Sequence, residues 1–204
     1  MSLELLVEEE SAAEALRPLL SKLLEGTKVR VGIRRFRGKP DLLKNLPDRL
    51  RGYAAARRRG ADIRVVVLVD RDNDDCTALK KKLDDIAEKS GLTPHGRRGA
   101  NHSFQVLNRI AVRELESWYF GDWEAVRAGF PKVPKQAPHA YRSNPDAVAG
   151  KCSDTFEKVL HASGVKIASK PEWGRRVGPH LNLEKNRSPS FHAFVTGVRT
   201  IVSS

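Results

Sequence analysis

The stretch that most constrains this chain is Val65-Val66-Val67-Leu68-Val69-Asp70-Arg71-Asp72. Five consecutive β-branched or aliphatic residues leave no polar face before two acids arrive. A run of that length reads as a strand buried on both sides, as in the interior of a parallel sheet. Open α/β sheets hold their ligands beyond the carboxyl ends of the strands. Asp70 therefore falls where a ligand would lie, and Asp72 follows in the loop. Side chains two residues apart on extended backbone are separated by about 6–7 Å. Carboxylates so placed can share a hard, oxygen-seeking cation such as Mg²⁺.

The rest of the chain supplies matching elements. Leu3 to Val7 predicts a short strand ending at Glu8. Ser11 and Glu14 have capping-box spacing, and Leu16, Leu19, Leu20 and Leu23 form one apolar stripe, so a helix is expected from Ser11. Pro18 predicts a kink in it or a later start. Val29 to Phe36 reads as a second strand. Asp41 is a candidate cap for a helix bearing Leu42, Leu43, Leu46, Leu50 and Tyr53. After the buried strand, Asp74 or Asp75 caps a helix with Leu79, Leu83 and Ile86 inward, stopped at Gly91. A Gly- and Arg-rich loop, Thr93 to His102, leads to a strand over Phe104 to Val112. The acid and aromatic cluster Glu114 to Phe120 follows, and Asp122 caps a helix reaching Phe130. The order β-α-β-α-β-α-β predicts a parallel sheet with right-handed crossovers.

Composition changes at Pro131. Pro131, Pro134, Pro138 and Pro145 mark a linker-like stretch, followed by helices near 153–162, 171–177 and 188–202, the last opened by Ser188-Pro189. The expected organisation is an α/β domain over residues 1–130. A linker and helical extension, residues 131–204, would pack on it.

The net charge of +12 is unevenly spread. Between Lys28 and Gly60, twelve Lys and Arg stand against Asp41 and Asp48 alone. That excess points to a polyanionic partner, DNA or RNA most simply, against the plainer reading of a solvated helix face. No apolar run approaches a membrane span, and the acidic amino terminus is unlike a signal or transit peptide, so a cytoplasmic protein is expected. Cys76 and Cys152 lack paired spacing and are expected as free thiols.

An acid ending the first strand, Glu8, with Asp70-x-Asp72 ending a later one resembles the metal-binding pattern of Toprim domains. The likeness extends through Leu6-Val7-Glu8-Glu9-Glu10-Ser11, Phe36-Arg37-Gly38-Lys39-Pro40-Asp41-Leu42-Leu43 and Leu46-Pro47-Asp48-Arg49-Leu50. It continues through Val67 to Cys76, Glu114 to Trp123, and Asn186-Arg187-Ser188. Together these segments resemble a bacterial family catalogued as domain of unknown function 4276 and regarded as Toprim-like. The resemblance implies a Toprim-like, Rossmann-like α/β fold. By analogy with other Toprim nucleases it implies a nuclease role, with phage defence and a partner ATPase as further expectations.

Chemistry points the same way. Phosphodiester cleavage needs negative charge stabilised on the phosphoryl group, which Mg²⁺ or Mn²⁺ held by carboxylates provides. Glu8, Asp70 and Asp72 are the candidate ligands, with Glu9 or Glu10 as alternatives to Glu8 for the inward position. Glu114 and Glu116 are candidates for a second metal or a general base, against a solvent-facing helix start. Lys39, with Arg35, Arg37 and Arg71, is a candidate contact for nucleic-acid phosphates. Gly38-Lys39 does not complete a P-loop, because Gly32 is one residue too distant and Pro40 replaces the hydroxyl residue. No histidine pair has zinc-site spacing. Trp118, Tyr119, Phe120 and Trp123 read as core. Besides cleavage, two other functions fit: a non-enzymatic nucleic-acid- or partner-binding module, and phosphoryl chemistry on a small molecule.

Overall fold

Alternation along the strands decides how this chain layers. In the computed structural model, which describes residues 1–99, 103–166 and 169–203, four strands form one parallel sheet. They are β1 (Ser2–Val7), β2 (Arg30–Arg35), β3 (Ile63–Asp70) and β4 (Val106–Ala111), in the order β2-β1-β3-β4. Successive side chains point to opposite faces. Val65, Val67 and Val69 of β3 face one apolar layer, and Val66 and Leu68 face the other. All five are buried, as the uninterrupted run predicts. Each fully buried Val or Leu contributes about 1.5–3 kcal/mol, so this strand anchors both layers.

The first layer holds α2 (Lys39–Arg58) and α3 (Cys76–Lys89), packed through Leu42, Leu46, Leu50, Leu79 and Leu83. The second layer holds α1 (Glu10–Leu23), α4 (Glu116–Gly121), α5 (Trp123–Gly129), α6 (Cys152–Ala162), α7 (Lys170–Val177) and α8 (Pro189–Ser203). Trp118, Tyr119, Phe120 and Trp123 are buried in its core. Among the described residues, no helix is long and apolar enough to cross a membrane. Cys76 and Cys152 are free.

Most predicted caps are present. Asp75 accepts from Ala78 N at 2.8 Å, Asp122 from Ala125 N at 3.2 Å, and Ser188 Oγ from Phe191 N at 3.1 Å. Asp41 is not the cap: α2 begins at Lys39 with Gly38 at its boundary and no side-chain cap bond, and Asp41, inside the first turn, accepts from Arg37 N at 3.0 Å. The Ser11 cap is a correction. The chain turns directly out of β1, so α1 begins at Glu10 with Glu9 at its boundary and no side-chain cap bond. It then continues past Pro18 to Leu23.

The proline-rich stretch after Pro131 is not a free linker. Its apolar members Val133, Ala137 and Tyr141 are buried in the same core as β1 and α1. Farther along, α7 lies directly against α1, which glycine permits. A Cβ on Gly174 would stand 2.6 Å from the Ser11 carbonyl, and one on Gly178 would stand 2.5 Å from the Ala15 carbonyl. Of the Thr93–His102 loop, residues 100–102, including His102, lie outside the described residues.

Candidate functional site at the carboxyl edge of the sheet

Because all four strands are parallel, their carboxyl ends share one edge of the sheet. Glu8 is the first residue beyond β1. Its Oε1 accepts from Asp70 N at 2.8 Å, which aims the side chain toward the end of β3. Glu9 is more exposed although it borders the same site, and Glu10 pairs with Arg35 at 2.7 Å. Among Glu8, Glu9 and Glu10, the inward residue held against β3 is therefore Glu8.

Glu8, Glu9, Asp70 and Glu116 line one pocket with Lys170 and Ser11, closed by Leu68, Ala12 and Leu115. Its volume of about 20 Å³ admits one water-sized species. Burial pushes the Glu8 carboxyl up to about 7, against the pull of the Asp70 N–H and Lys39. Burial likewise pushes Glu116 up to about 7, although Lys170 works in the opposite direction. Asp70 is raised well above the carboxylate range, first by burial and then by repulsion from Glu116, Glu8, Asp72 and Glu114. Lys170 Nζ stands 3.7 Å from Glu116 and 3.9 Å from Glu114. The burial of Glu8, Asp70 and Glu116 favours a compensating positive charge beside them or a bound proton on each.

Glu114 is buried, which overturns the solvent-facing reading. It accepts from Ser153 N at 2.8 Å and Ser153 Oγ at 2.9 Å, so it anchors the first turn of α6. Glu116 is equally enclosed, at 5% exposure, but it faces the pocket.

Asp72 takes a different position. The loops after β3 and β4 stay joined past the strands, through Arg71 N to Ala111 O at 2.8 Å and Asp72 N to Arg113 O at 2.9 Å. Both Asp72 (φ 50°) and Arg113 (φ 70°) occupy the left-handed region. For a non-glycine residue that costs on the order of 1 kcal/mol or more, and such strain gathers at functional sites. The Asp72 carboxylate, 50% exposed, meets Lys39 Nζ at 2.7 Å. Lys39 also reaches Asp74 at 2.9 Å and the Arg71 carbonyl at 3.3 Å. Burial opposes the charge on Lys39, but the Asp72 and Asp74 carboxylates hold its pKa above the ordinary value.

Of the other candidate phosphate contacts, Arg35 is held by Glu10 and Arg37 is exposed. Arg71 buries an Nε that has no hydrogen-bond partner among the described residues. The basic segment does not form a single surface. Arg35, Arg37 and Lys39 stand at the carboxyl edge, whereas α2 runs back across the sheet. Arg57 at its far end donates to the Ile63 carbonyl at 2.7 Å, beside the start of β3. Lys28 and Arg30 precede or open β2 at that same amino edge.

Sequence reasoning missed Lys170 and Ser153. Neither belongs to a local motif, and both reach the strand-end acids only through packing of the carboxyl-terminal helices. The 186–188 segment also converges on α4. Asn186 Nδ2 donates to the Trp118 carbonyl at 2.9 Å, and a Cβ on Gly121 would collide with Asn186 Oδ1. Asp146 accepts from Ser117 Oγ (3.0 Å), Ser188 Oγ (2.8 Å) and Ser190 N (2.8 Å), binding α4 to α8.

Among the described residues, no three His, Cys, Asp or Glu side chains form a ready cation cage. The donor chemistry still suits a hard divalent cation: carboxylate oxygens only, poised to exchange protons for a metal, around a space for one small species. Fold and site together define an open parallel α/β protein with a cluster of acids at its carboxyl edge. The chain belongs to the family described as domain of unknown function (DUF4276), whose model matches residues 7–199 and so spans both the acids and the carboxyl-terminal helices. Searches of curated proteins and of solved structures return no match.

Proposed function

We propose that this protein is a Toprim-like, Mg²⁺- or Mn²⁺-dependent phosphodiesterase acting on nucleic acid. The observation that carries the reading is one pocket at the sheet's carboxyl edge shared by Glu8, Asp70 and Glu116, each with a raised pKa. Asp70 and Glu8 would hold the cation, with Glu116 beside them and Asp72 available once it leaves Lys39. A bound divalent ion would supply Lewis-acid stabilisation of the phosphoryl oxygens and a more acidic attacking water. Glu116 is suited to accept a proton near neutral pH, because a base works best with a pKa near the operating pH. Lys170 offsets the charge of Glu116 and Glu114, and Glu114 holds α6 in place. Arg37 and Lys39 stand on the same edge for contact with substrate phosphates.

The Lys39–Asp72 pair favours a second reading, a non-enzymatic binding module, because an internal cation already occupies one acid. The two readings part in one assay. Wild type and Asp70→Asn are compared on labelled single- and double-stranded DNA and RNA, with Mg²⁺, with Mn²⁺ and with chelator. The phosphodiesterase reading expects metal-dependent cleavage by wild type and a loss of about a hundredfold or more in the variant. No cleavage by wild type in any condition, or equal cleavage by both proteins, refutes it.

A further inference from the structure

A second concave surface shares no residue with the acidic pocket. It is a cavity of about 710 Å³ where α5 meets the segments 135–142 and 180–187, within the size range of small-ligand sites. Lys135, Arg142, Lys185, Arg187 and His180 line it. The apolar residues Trp123, Ala125 and Ala137 border it but are buried, and Ala128 is exposed.

The two arginines are held in place. Arg142 Nε donates to the Ala137 carbonyl at 2.8 Å, and Arg187 donates to the Arg142 carbonyl. Main-chain oxygens therefore orient both guanidinium groups without neutralising either one. Among the described residues, none of these cations makes an ion pair, although Arg34, Arg51, Arg97 and Arg175 elsewhere all do. The two acids lining the cavity are already engaged. Asp122 accepts from Ala125 N at 3.2 Å and Asn182 N at 2.7 Å, and Glu124 pairs with Arg127 at 3.1 Å. The four Lys and Arg outnumber Asp122 and Glu124, so the cavity carries a net positive charge, with two of its guanidinium groups oriented. Guanidinium forks match phosphate oxygens, and such charge-assisted bonds are the strong ones.

We propose that this cavity binds a phosphate ester, with Arg142 and Arg187 on the phosphate oxygens. The inference does not rest on any chemistry in the acidic pocket. A nucleic-acid strand and a free nucleotide present the same group, and the experiment separates them.

Full-length protein is titrated, in chelator, with a labelled single-stranded oligonucleotide and, separately, with ATP. Three proteins are compared: wild type, Arg142→Glu/Arg187→Glu, and Lys82→Glu/Lys89→Glu. The last pair is exposed on α3, outside the basic segment 28–60, makes no ion pair among the described residues, and changes net charge equally. Wild type is expected to bind at least one probe. The cavity variant should lose about tenfold or more and the α3 variant about twofold or less, since each phosphate–guanidinium bond is worth more than a tenfold change. Selective binding of the oligonucleotide identifies a strand as the ligand, and binding of ATP identifies a free nucleotide. The milder Arg142→Gln/Arg187→Gln must weaken binding in the same direction while its thermal melt stays that of wild type. Binding of neither probe by wild type, or equal losses in the two charge-reversal variants, overturns the proposal.

Discussion

Replacing Glu116 with Gln should stabilise this protein at alkaline pH and leave it nearly unchanged at acid pH. Glu116 is 5% exposed, and its carboxyl is pushed from an ordinary 4.5 up to about 7, chiefly by burial. A folded state that holds the proton more tightly than the unfolded chain is favoured at low pH. That advantage is complete below 4.5, falls as pH rises toward 7, and is gone above it. At about 1.4 kcal/mol for each pH unit across that window, ionising Glu116 costs the fold about 3 kcal/mol at pH 8. Gln cannot ionise, so the variant avoids this cost. The attraction to Lys170, 3.7 Å away, is already contained in that value. The net gain at pH 8 is therefore about 3 kcal/mol, or about 6–12 °C in Tm for a chain of this size. The assay is thermal and urea unfolding of both proteins at pH 4.5, 6 and 8 in chelator. Comparing the two at each pH cancels the groups that do not interact with Glu116; Asp70, which Glu116 helps to push up, adds to the gain in the same direction. A gain of equal size at pH 4.5 and pH 8, or no gain at pH 8, would refute the assignment of Glu116 as a buried acid destabilised by its charge.

Three further outcomes follow from the same contacts. Mg²⁺ or Mn²⁺ at ten times its Kd should raise wild-type stability by about 1.4 kcal/mol at pH 7.5, read as a Tm shift that Asp70→Asn lacks. Ser153→Ala should cost about 1–3 kcal/mol in urea unfolding, because it removes the hydroxyl bond to the buried Glu114. Gly178→Ala should cost about 1–3 kcal/mol through overpacking, because its Cβ would stand 2.5 Å from the Ala15 carbonyl; unfolding at the wild-type midpoint would contradict the close α1–α7 approach.

The parts of this architecture written in local pattern were readable before any coordinates. The Val65–Val69 run gave away β3 because burial on both faces removes polar residues altogether. Asp75, Asp122 and Ser188 announced helix starts because a cap bonds only within its own first turn. What escaped depends on contacts across the fold. Whether Glu8 or Glu9 faces inward turns on a single residue of strand register, settled here by the Asp70 N–H. Glu114 looks like a surface acid in sequence and is buried only because Ser153 meets it from α6. The twelve basic residues of 28–60 look like one patch, yet a crossover helix carries Arg57 to the opposite edge from Arg37. The prolines after 131 resemble linker punctuation, but the apolar residues between them, Val133, Ala137 and Tyr141, are packed inside.

The contacts of Glu114 and Glu116 bear on how the carboxyl-terminal helices relate to the acids. Asp70 and Glu8 are contributed by the sheet, but the groups that make neighbouring charges tolerable come from α6 and α7. Ser153 satisfies both oxygens of Glu114, and Lys170 sits within 4 Å of Glu114 and Glu116. Without them Glu114 would keep its burial only at the penalty of an unpaired charge, several kcal/mol by the usual behaviour of such groups. Helices α6 and α8 cover Trp118, Tyr119 and Phe120 through Phe156, Phe191 and Phe194, with ring centroids 5.2–5.7 Å apart. Residues 131–204 therefore supply part of the acidic centre's electrostatics and part of its core. A chain ending at Phe130 would expose α4, the short helix that carries Glu116, and leave the pocket without its lysine.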